Sequence, residues 1–164
     1  MSDSKKQNLS SIIPPFIFLF FFALYLFTLA PEFLFDDNPE FIASAHVLGI
    51  THPPGYPLFS ITGKIFSYLN RGETPFSVNC VSTFFGALAV LLFYLIALDL
   101  GCGKLPAFFG ACLFGISKTF WSQAIEAEVY ALNLFFTALS FHVVLNFQKE
   151  RQTKTLLFLL PLLT

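Results

Sequence analysis

Long uncharged apolar stretches alternate with short polar segments along the chain. The first stretch, residues 11–30, contains no charge, and about 20 apolar residues are enough to cross a hydrocarbon core of about 30 Å. The same pattern predicts further spans at 76–98, 105–120 and 129–147, and a truncated fifth span at 155–164. A signal peptide has a shorter apolar core and a polar mature chain after it, so the first span is predicted to be retained.

Repeated spans predict an all-α fold, a polytopic transmembrane helical bundle, because a backbone exposed to lipid must satisfy its own hydrogen bonds. The composition agrees, since 55% of the residues are hydrophobic and only 12% are charged, against about 25% charged in ordinary soluble domains. Residues 1–164 read as one module without a linker, and the truncated last span predicts the N-terminal part of a larger protein.

The distribution of Lys and Arg predicts a multi-pass protein of the cell membrane with a cytoplasmic N-terminus. Six basic residues then lie inside and three outside, the inner ones being Lys5, Lys6, Lys104, Lys149, Arg151 and Lys154, the outer ones Lys64, Arg71 and Lys118. The segment 31–75 becomes the first outer loop. A net charge of −1 gives no indication of a nucleic-acid partner.

The outer loop contains FDDNPEFIASAHVLGITHPPGYP, residues 35–57, which is rich in acids, histidines and prolines. Asn38 followed by Pro39 predicts a helix start with Asn38 as the cap, and Glu40 falls in the first turn, where the helix dipole favours a negative charge. Apolar residues share one face of this helix, which predicts that it lies on the membrane surface with that face down, namely Phe41, Ile42, Ala45 and Leu48. Asp37 and Glu40 then point to water.

The HPPGYP segment, residues 52–57, predicts a stiff bend that returns the chain toward the membrane. After it, Leu58, Ile61, Ile65 and Leu69 have helical spacing and predict a second interfacial helix over 58–70.

Other interpretations of these residues remain open at this point. Asp36, Asp37 and Glu40 can be solvated loop charges together with a helix cap. His46 and His52 can join the acids as metal ligands, but their spacing matches no known site, and no metal site is predicted. Three cysteines and one histidine in or beside apolar spans are predicted to be packing or hydrogen-bonded interior residues, namely Cys80, Cys102, Cys112 and His142.

A second polar stretch, WSQAIEAEVYALN at 121–133, places a polar stripe on a helix that enters the membrane. On a continuous helix the stripe consists of Gln123, Glu126, Tyr130, Asn133 and Thr137, with Glu128 on the opposite face. Such groups are costly against lipid, so they are predicted to face a wet cavity or to hydrogen-bond between helices.

Three segments resemble, in order, the N-terminal part of a polytopic family catalogued as domain of unknown function 2723, over about residues 31–147. They are FDDNPEFIASAHVLGITHPPGYPLF, FSVNCVSTFFGALAVLLFYLI and FWSQAIEAEVYALN. That family is similar to the GT-C class of membrane glycosyltransferases, and its animal relative is similar to a protein O-mannosyltransferase. The resemblance implies a GT-C-like bundle that moves a sugar from a polyprenyl-phosphate carrier to an acceptor, a protein hydroxyl or glycan, on the outer face.

The resemblance also implies roles for particular residues. Asp37 takes the place of the catalytic acid of the first outer loop, and Glu40 that of its partner. The family pattern favours Glu128 as a further cavity carboxylate, whereas the helical stripe favours Glu126, and both are kept as candidates. Five residues are candidates for binding the phosphate or sugar of the substrate, namely His52, Tyr56, Lys64, Arg71 and Tyr130.

No cofactor is predicted, because the donor is a lipid-phosphate sugar and no glycine-rich phosphate loop is present in the sequence. A divalent metal ion is compatible with this chemistry, but no pattern supports one. The bilayer, the carrier and the acceptor are the predicted partners. The main alternative is a transporter or a lipid-carrier flippase, although such proteins usually place ionisable groups near the bilayer midplane. A membrane scaffold would leave the acids without a role.

Overall fold

The computed structural model describes residues 2–32, 37–69 and 74–159 of the chain. Within these ranges every regular element is an α-helix, so the predicted all-α class is confirmed there. The helices are α1 Ser2–Phe27, α2 Asn38–Val47, α3 Pro57–Leu69, α4 Thr74–Asp99, α5 Lys104–Gly115, α6 Lys118–Ala124 and α7 Val129–Leu159.

Helix α4 lies at the centre and packs against each of the other helices. It carries small residues at the contacts, among them Ala87 and Ala89, which are fully buried and let neighbouring helices approach closely. Phe21 and Tyr25 of α1 fill the first core beside them. The Tyr25 hydroxyl donates a hydrogen bond of 2.7 Å to the carbonyl of Gly115 at the end of α5, which joins α1 to α5.

A second core joins α2 and α3 to the N-terminal half of α4. Phe41, Ile42 and Ala45 of α2 are buried there against Phe59 of α3. A Cβ atom added to Gly63 of α3 would lie 2.7 Å from the Cβ atom of Ala45, so the glycine allows these two helices to touch. Three of the four residues of the predicted apolar face are therefore covered by protein, and for them the prediction of contact with the membrane is wrong. The fourth, Leu48, follows the helix and is 56% exposed.

Helix α3 keeps its apolar row uncovered. Leu58, Ile61 and Ile65 lie on one side of the helix, and each is about half exposed, at 51 to 52%. The helix covers Pro57–Leu69, close to the predicted 58–70, so the helical spacing is confirmed. The exposed row is the part of the segment 31–75 that fits an interfacial helix.

Two predicted helices are interrupted in the structure. The predicted span 105–120 is two helices, because α5 ends at Gly115 and α6 begins at Lys118. The helix predicted across 121–133 is broken at 125–128. At this break the N–H of Ala127 donates to Oδ1 of Asn79 at 2.7 Å. Side chains of α4 thus accept hydrogen bonds that backbone carbonyls would accept in a continuous helix.

Helix α7 continues where a loop was predicted. The polar segment 148–154 is helical, so the predicted spans 129–147 and 155–164 belong to one helix as far as Leu159, and residues 160–164 lie outside the described part of the chain. Gln, Lys, Glu and Arg are good helix formers, and neither Gly nor Pro interrupts this segment.

Two helices of the described residues are long and apolar enough to cross a membrane, Pro75–Asp99 within α4 and Val129–Arg151 within α7. Two shorter apolar helices accompany them, Ile12–Phe27 and Lys104–Gly115. Only 11% of the residues in the most apolar part of α7 are buried, against 50% in the corresponding part of α4.

Polar side chains join the far end of α4 to α7. Nδ1 of His142 lies 2.6 Å from Oδ2 of Asp99, and Nζ of Lys149 lies 2.9 Å from Oδ1 of the same carboxylate. His142 is thus a hydrogen-bonded residue of a helix interface, as predicted. The three cysteines are free; Cys80 and Cys112 are half-buried and Cys102 is exposed.

Candidate functional site

The N-terminus of α2 and the bend that follows α2 bring Asp37, Glu40 and His52 together. The backbone N–H of His52 donates to Oε1 of Glu40 at 2.6 Å, and Nδ1 of His52 lies 2.9 Å from Oε2. Nε2 of His52 lies 3.9 Å from Oδ2 of Asp37. We call these three residues the acidic cluster.

The start of α2 explains why Asp37 is available for chemistry. Asp37 occupies the cap position, where its carbonyl accepts from the N–H groups of Glu40 and Phe41, but its side chain makes no capping hydrogen bond. The side chain of Asn38, which was predicted to cap, instead donates to Asn79 at 3.0 Å and is buried. The Asp37 carboxylate is 57% exposed and stays open to an incoming group.

The bend positions His52. A turn closes where the N–H of Gly55 donates to the carbonyl of His52 at 2.9 Å, and Gly55 has a φ of +94°, which favours glycine over other residues. The imidazole packs between aromatic rings, with centroids 5.8 Å from that of Phe41 and 5.6 Å from that of Tyr56. The predicted stiff bend therefore fixes one imidazole over one carboxylate.

Contact between His52 and Glu40 shifts the pKa of each in the direction that favours an ion pair. The hydrogen bonds from His52 lower the pKa of Glu40 below its ordinary 4.5. The hydrogen bond to Glu40 raises the pKa of His52 above its ordinary 6.5, and the charges of Glu40, Asp37 and Glu128 add to this effect. Burial opposes both shifts without cancelling them.

We expect a pH titration followed by NMR to place the midpoint of His52 above 6.5, and Glu40→Gln to lower it, because the Glu40 hydrogen bond is the largest cause of the shift. The His52 signal is identified by its loss in His52→Gln. Since the folded pKa of His52 is raised, its contribution to stability is fully present below pH 6.5 while Glu40 is ionised, and is lost as the pH rises through the folded value. The contribution of Glu40, whose folded pKa is lowered, is present above pH 4.5 and is lost as the pH falls through its folded value. Glu32→Gln, at an exposed acid outside the cluster, should leave the midpoint unchanged. An unchanged midpoint in Glu40→Gln would contradict the geometry.

The second acidic stretch approaches the cluster through Glu128. The N–H of Glu128 donates to Oγ of Ser82 at 3.2 Å, and this hydroxyl donates to the carbonyl of Glu128 at 3.0 Å. Glu128 is 8% exposed, and its charge contributes to the raised pKa of His52. Glu126 lies in the same break and is half-buried. Of the two candidates, the electrostatic link to His52 favours Glu128.

Four of the five predicted substrate-binding residues lie in the described part of the chain, and two of these, His52 and Tyr56, lie at the cluster. Lys64 donates to the carbonyl of His46 at the other end of α2, and its Nζ lies 5.2 Å from the centre of the Tyr68 ring. The structure thus separates Lys64 and His46 from the acids. Arg71, like Asp36, lies outside the described residues.

Tyr130 lines a separate cavity of about 610 Å³ between α5, α6 and α7. Gln123, Asn133 and Thr137 line it as well, so most of the predicted polar stripe faces one space despite the break in the helix. Oε1 of Gln123 is buried and has no hydrogen-bond partner among the described residues. Glu126 is not among the residues that line this cavity.

The acidic cluster has the donor atoms of a small cation site. One oxygen or nitrogen from each of its residues lies within 4.8 Å of the others. Two of the three residues already contact each other, because His52 directs both its backbone N–H and its ring at Glu40. The arrangement can therefore act as a base with a neighbouring cation, which is the chemistry that transfer to or from a phosphate needs.

Sequence reasoning found the cluster but missed the residues that support it. Asn79, Ser82 and Thr83 of α4 are fully buried and bond to the chain around 124–128. Ser82 and Thr83 follow Asn79 by three and four residues in an otherwise apolar span. This pattern could have predicted their role, because buried polar groups need hydrogen-bond partners.

Comparison with known proteins extends the resemblance. Residues 37–163 match the family described as the N-terminal domain of the protein O-mannosyl-transferase TMEM260. The protein O-mannosyl-transferase TMEM260 of Mus musculus is 32% identical over 133 residues, which are 80% of this chain and 19% of the relative. Its namesake in Dictyostelium discoideum is 31% identical over 142 residues, 82% of this chain and 17% of the relative.

The chain thus spans about a fifth of the length of the curated relatives it matches. No solved structure matches it significantly. The matched residues begin at Asp37 and include the whole acidic cluster and Glu128. The predicted relation to an O-mannosyltransferase family is confirmed.

Proposed function

Because the chain belongs to the family of the protein O-mannosyl-transferase TMEM260 N-terminal domain, we propose that it is part of a multi-pass, GT-C-like membrane glycosyltransferase. The enzyme moves mannose from a polyprenyl-phosphate carrier to a protein hydroxyl, and it does so on the outer face of the membrane. The observation that carries this proposal is the acidic cluster, which combines an open carboxylate with a neighbouring imidazole.

Asp37 is the general base. The acceptor hydroxyl attacks the anomeric carbon of the sugar, its proton passes to the Asp37 carboxylate, and the bond from that carbon to the carrier phosphate breaks with its electrons left on the phosphate oxygen. The exposure of Asp37 and the absence of a capping bond support this role. A base of this kind must lie about 3 Å from the hydroxyl.

Glu40 and His52 act as a pair beside the base. Both Glu40 oxygens are engaged by His52, so Glu40 is a positioning residue that fixes the imidazole. The imidazolium stabilises the negative charge that develops on the leaving phosphate. Glu128 adds a third negative charge, after those of Glu40 and Asp37, that favours the protonated form of this imidazole.

The proposal is tested with the complete gene product in detergent. Polyprenyl-phosphate mannose with a radiolabelled sugar is incubated with a Ser/Thr-containing polypeptide, and GDP-mannose is the second donor. We expect label on the polypeptide from the lipid donor alone. Transfer from GDP-mannose alone would overturn the proposed carrier. No transfer from either donor, with movement of the carrier across vesicle membranes, would instead favour the flippase alternative.

A further inference from the structure

An apolar groove runs between the start of α3 and the first turns of α7 and has a volume of about 290 Å³. Tyr56 and Leu58 line it on one side, and Val129, Leu132 and Phe136 on the other. These α7 residues have the spacing of one helix face. With a rise of about 1.5 Å per residue, they extend about 10 Å along the helix.

One end of this groove lies against the acidic cluster. Tyr56 lines the groove and also contacts the cluster, since its ring centroid lies 5.6 Å from that of His52. From Val129 to Phe136 the groove follows the apolar segment of α7 that is long enough to cross a membrane. A ligand in the groove would have one end at the acids and the other among apolar side chains.

The open side of the groove continues into exposed apolar surface. Leu58 is 51% exposed at its edge, and Ile61 and Ile65 continue the same face of α3. Phe136, on the opposite edge, is 42% exposed. A hydrocarbon chain can enter from lipid along this surface without crossing water, whereas a polar ligand gains nothing from such a path.

We propose that the groove between α3 and α7 holds the first isoprene units of the polyprenyl-phosphate carrier, with the phosphate at the His52 end. The inference rests on the proposed function and adds the position of the lipid chain. A branched apolar chain matches a lining that is apolar apart from Asn133 and the Tyr56 hydroxyl. It also explains why the groove begins at the cluster.

The test uses a farnesyl phosphate that carries a photoreactive benzophenone, added to the complete gene product in detergent. We expect cross-links to peptides of α3 and α7 around the groove. Leu132→Trp should fill the groove and lower labelling at least tenfold. It should also raise the KM for the long-chain donor at least tenfold, the change expected when about two methylene groups lose their burial. The KM for the acceptor polypeptide should stay the same.

Two further variants keep the result interpretable. Leu58→Trp adds the same bulk at the half-exposed edge of the groove, so it should reproduce the effect even if the buried Leu132 position does not tolerate tryptophan. Leu113→Trp makes the matched substitution at an exposed position of α5 outside the groove and should behave as wild type.

Varying the length of the carrier's hydrocarbon chain tests binding in the groove separately from the transfer activity. The wild type should bind a donor with a single isoprene unit more weakly than the long-chain donor. In Leu58→Trp, the difference between the affinities for these two donors should be much smaller. If the wild type transfers sugar but is cross-linked outside the groove, or binds short-chain and long-chain donors equally well, the groove does not hold the carrier. The proposed function would still stand. Absence of transfer with cross-links in the groove would overturn the proposed function alone.

Discussion

Asp37→Asn should lower sugar transfer by the complete gene product by about 10²- to 10⁴-fold, the usual contribution of a general base. Asparagine has the same shape as aspartate but cannot accept the proton of the acceptor hydroxyl. The fall should lie in kcat, with KM for the donor changed little, because the base acts mainly in the transition state. Initial rates with radiolabelled polyprenyl-phosphate mannose measure the effect.

Folding should survive this substitution. The Asp37 side chain makes no capping hydrogen bond, and the carbonyl that accepts the first N–H groups of α2 is retained. Glu32→Gln removes an exposed acid outside the cluster and should keep wild-type activity. If Asp37→Asn transferred sugar within a few-fold of wild type while remaining folded, Asp37 would be removed from the mechanism.

Glu40→Gln distinguishes the base from its neighbour. Glu40 accepts two hydrogen bonds from His52, so its loss should act through the imidazole and move the pH profile of transfer to lower pH. Asp37→Asn should instead lower the rate at every pH. The difference separates a group that touches the reacting hydroxyl from one that positions another residue.

The sequence predicts the acidic cluster well because the motifs that place its residues are close together along the chain. Asp37 and Glu40 are three residues apart at a helix start, and the proline-rich bend lies immediately after the helix. Short-range rules for helix starts and turns are sufficient to place such residues. Which residue caps the helix was not predictable in this way, because Asn38 is drawn away by Asn79, 41 residues further along the chain.

Features that depend on distant contacts were predicted less well. An amphipathic pattern shows that α2 has an apolar face, but it does not show whether lipid or protein covers that face; here α3 and α4 cover it. The same pattern in α3 remains exposed. Lys64 was a reasonable phosphate ligand by charge, yet the fold turns it to the C-terminal end of α2, where cations stabilise the helix dipole.

The break at 125–128 is the clearest case of tertiary structure overriding helix propensity. The segment AIEAEVY has good helix formers and no Gly or Pro, so local rules predict a continuous helix. Side chains of α4 offer hydrogen bonds that compete with the helical ones, since Thr83 donates to the carbonyl of Ala124 and Asn79 accepts from Ala127. The break in turn places Glu128 near His52.

Asn79→Ala should therefore be the most destabilising single substitution in the site. Asn79 is fully buried; its oxygen accepts from Asn38 at 3.0 Å and from Ala127 at 2.7 Å, and its nitrogen donates to the carbonyl of Ala30 at 2.8 Å. Each buried group that loses its partner costs about 1–3 kcal/mol, which gives a loss of about 3 kcal/mol or more. For a chain of this size that corresponds to a fall in Tm of about 6–12 °C.

Thermal unfolding of the full chain in detergent, followed by circular dichroism, measures this loss. Ser140→Ala is the matched control, because it removes an exposed hydrogen bond within α7 and should change stability by no more than about 0.5 kcal/mol. Because Asn79 holds Ala127, next to Glu128, the His52 midpoint should also fall in Asn79→Ala as Glu128 moves away. An unchanged Tm and midpoint together would mean that the break and the α2 start are held by other contacts, and that Asn79 does not couple the two acidic segments.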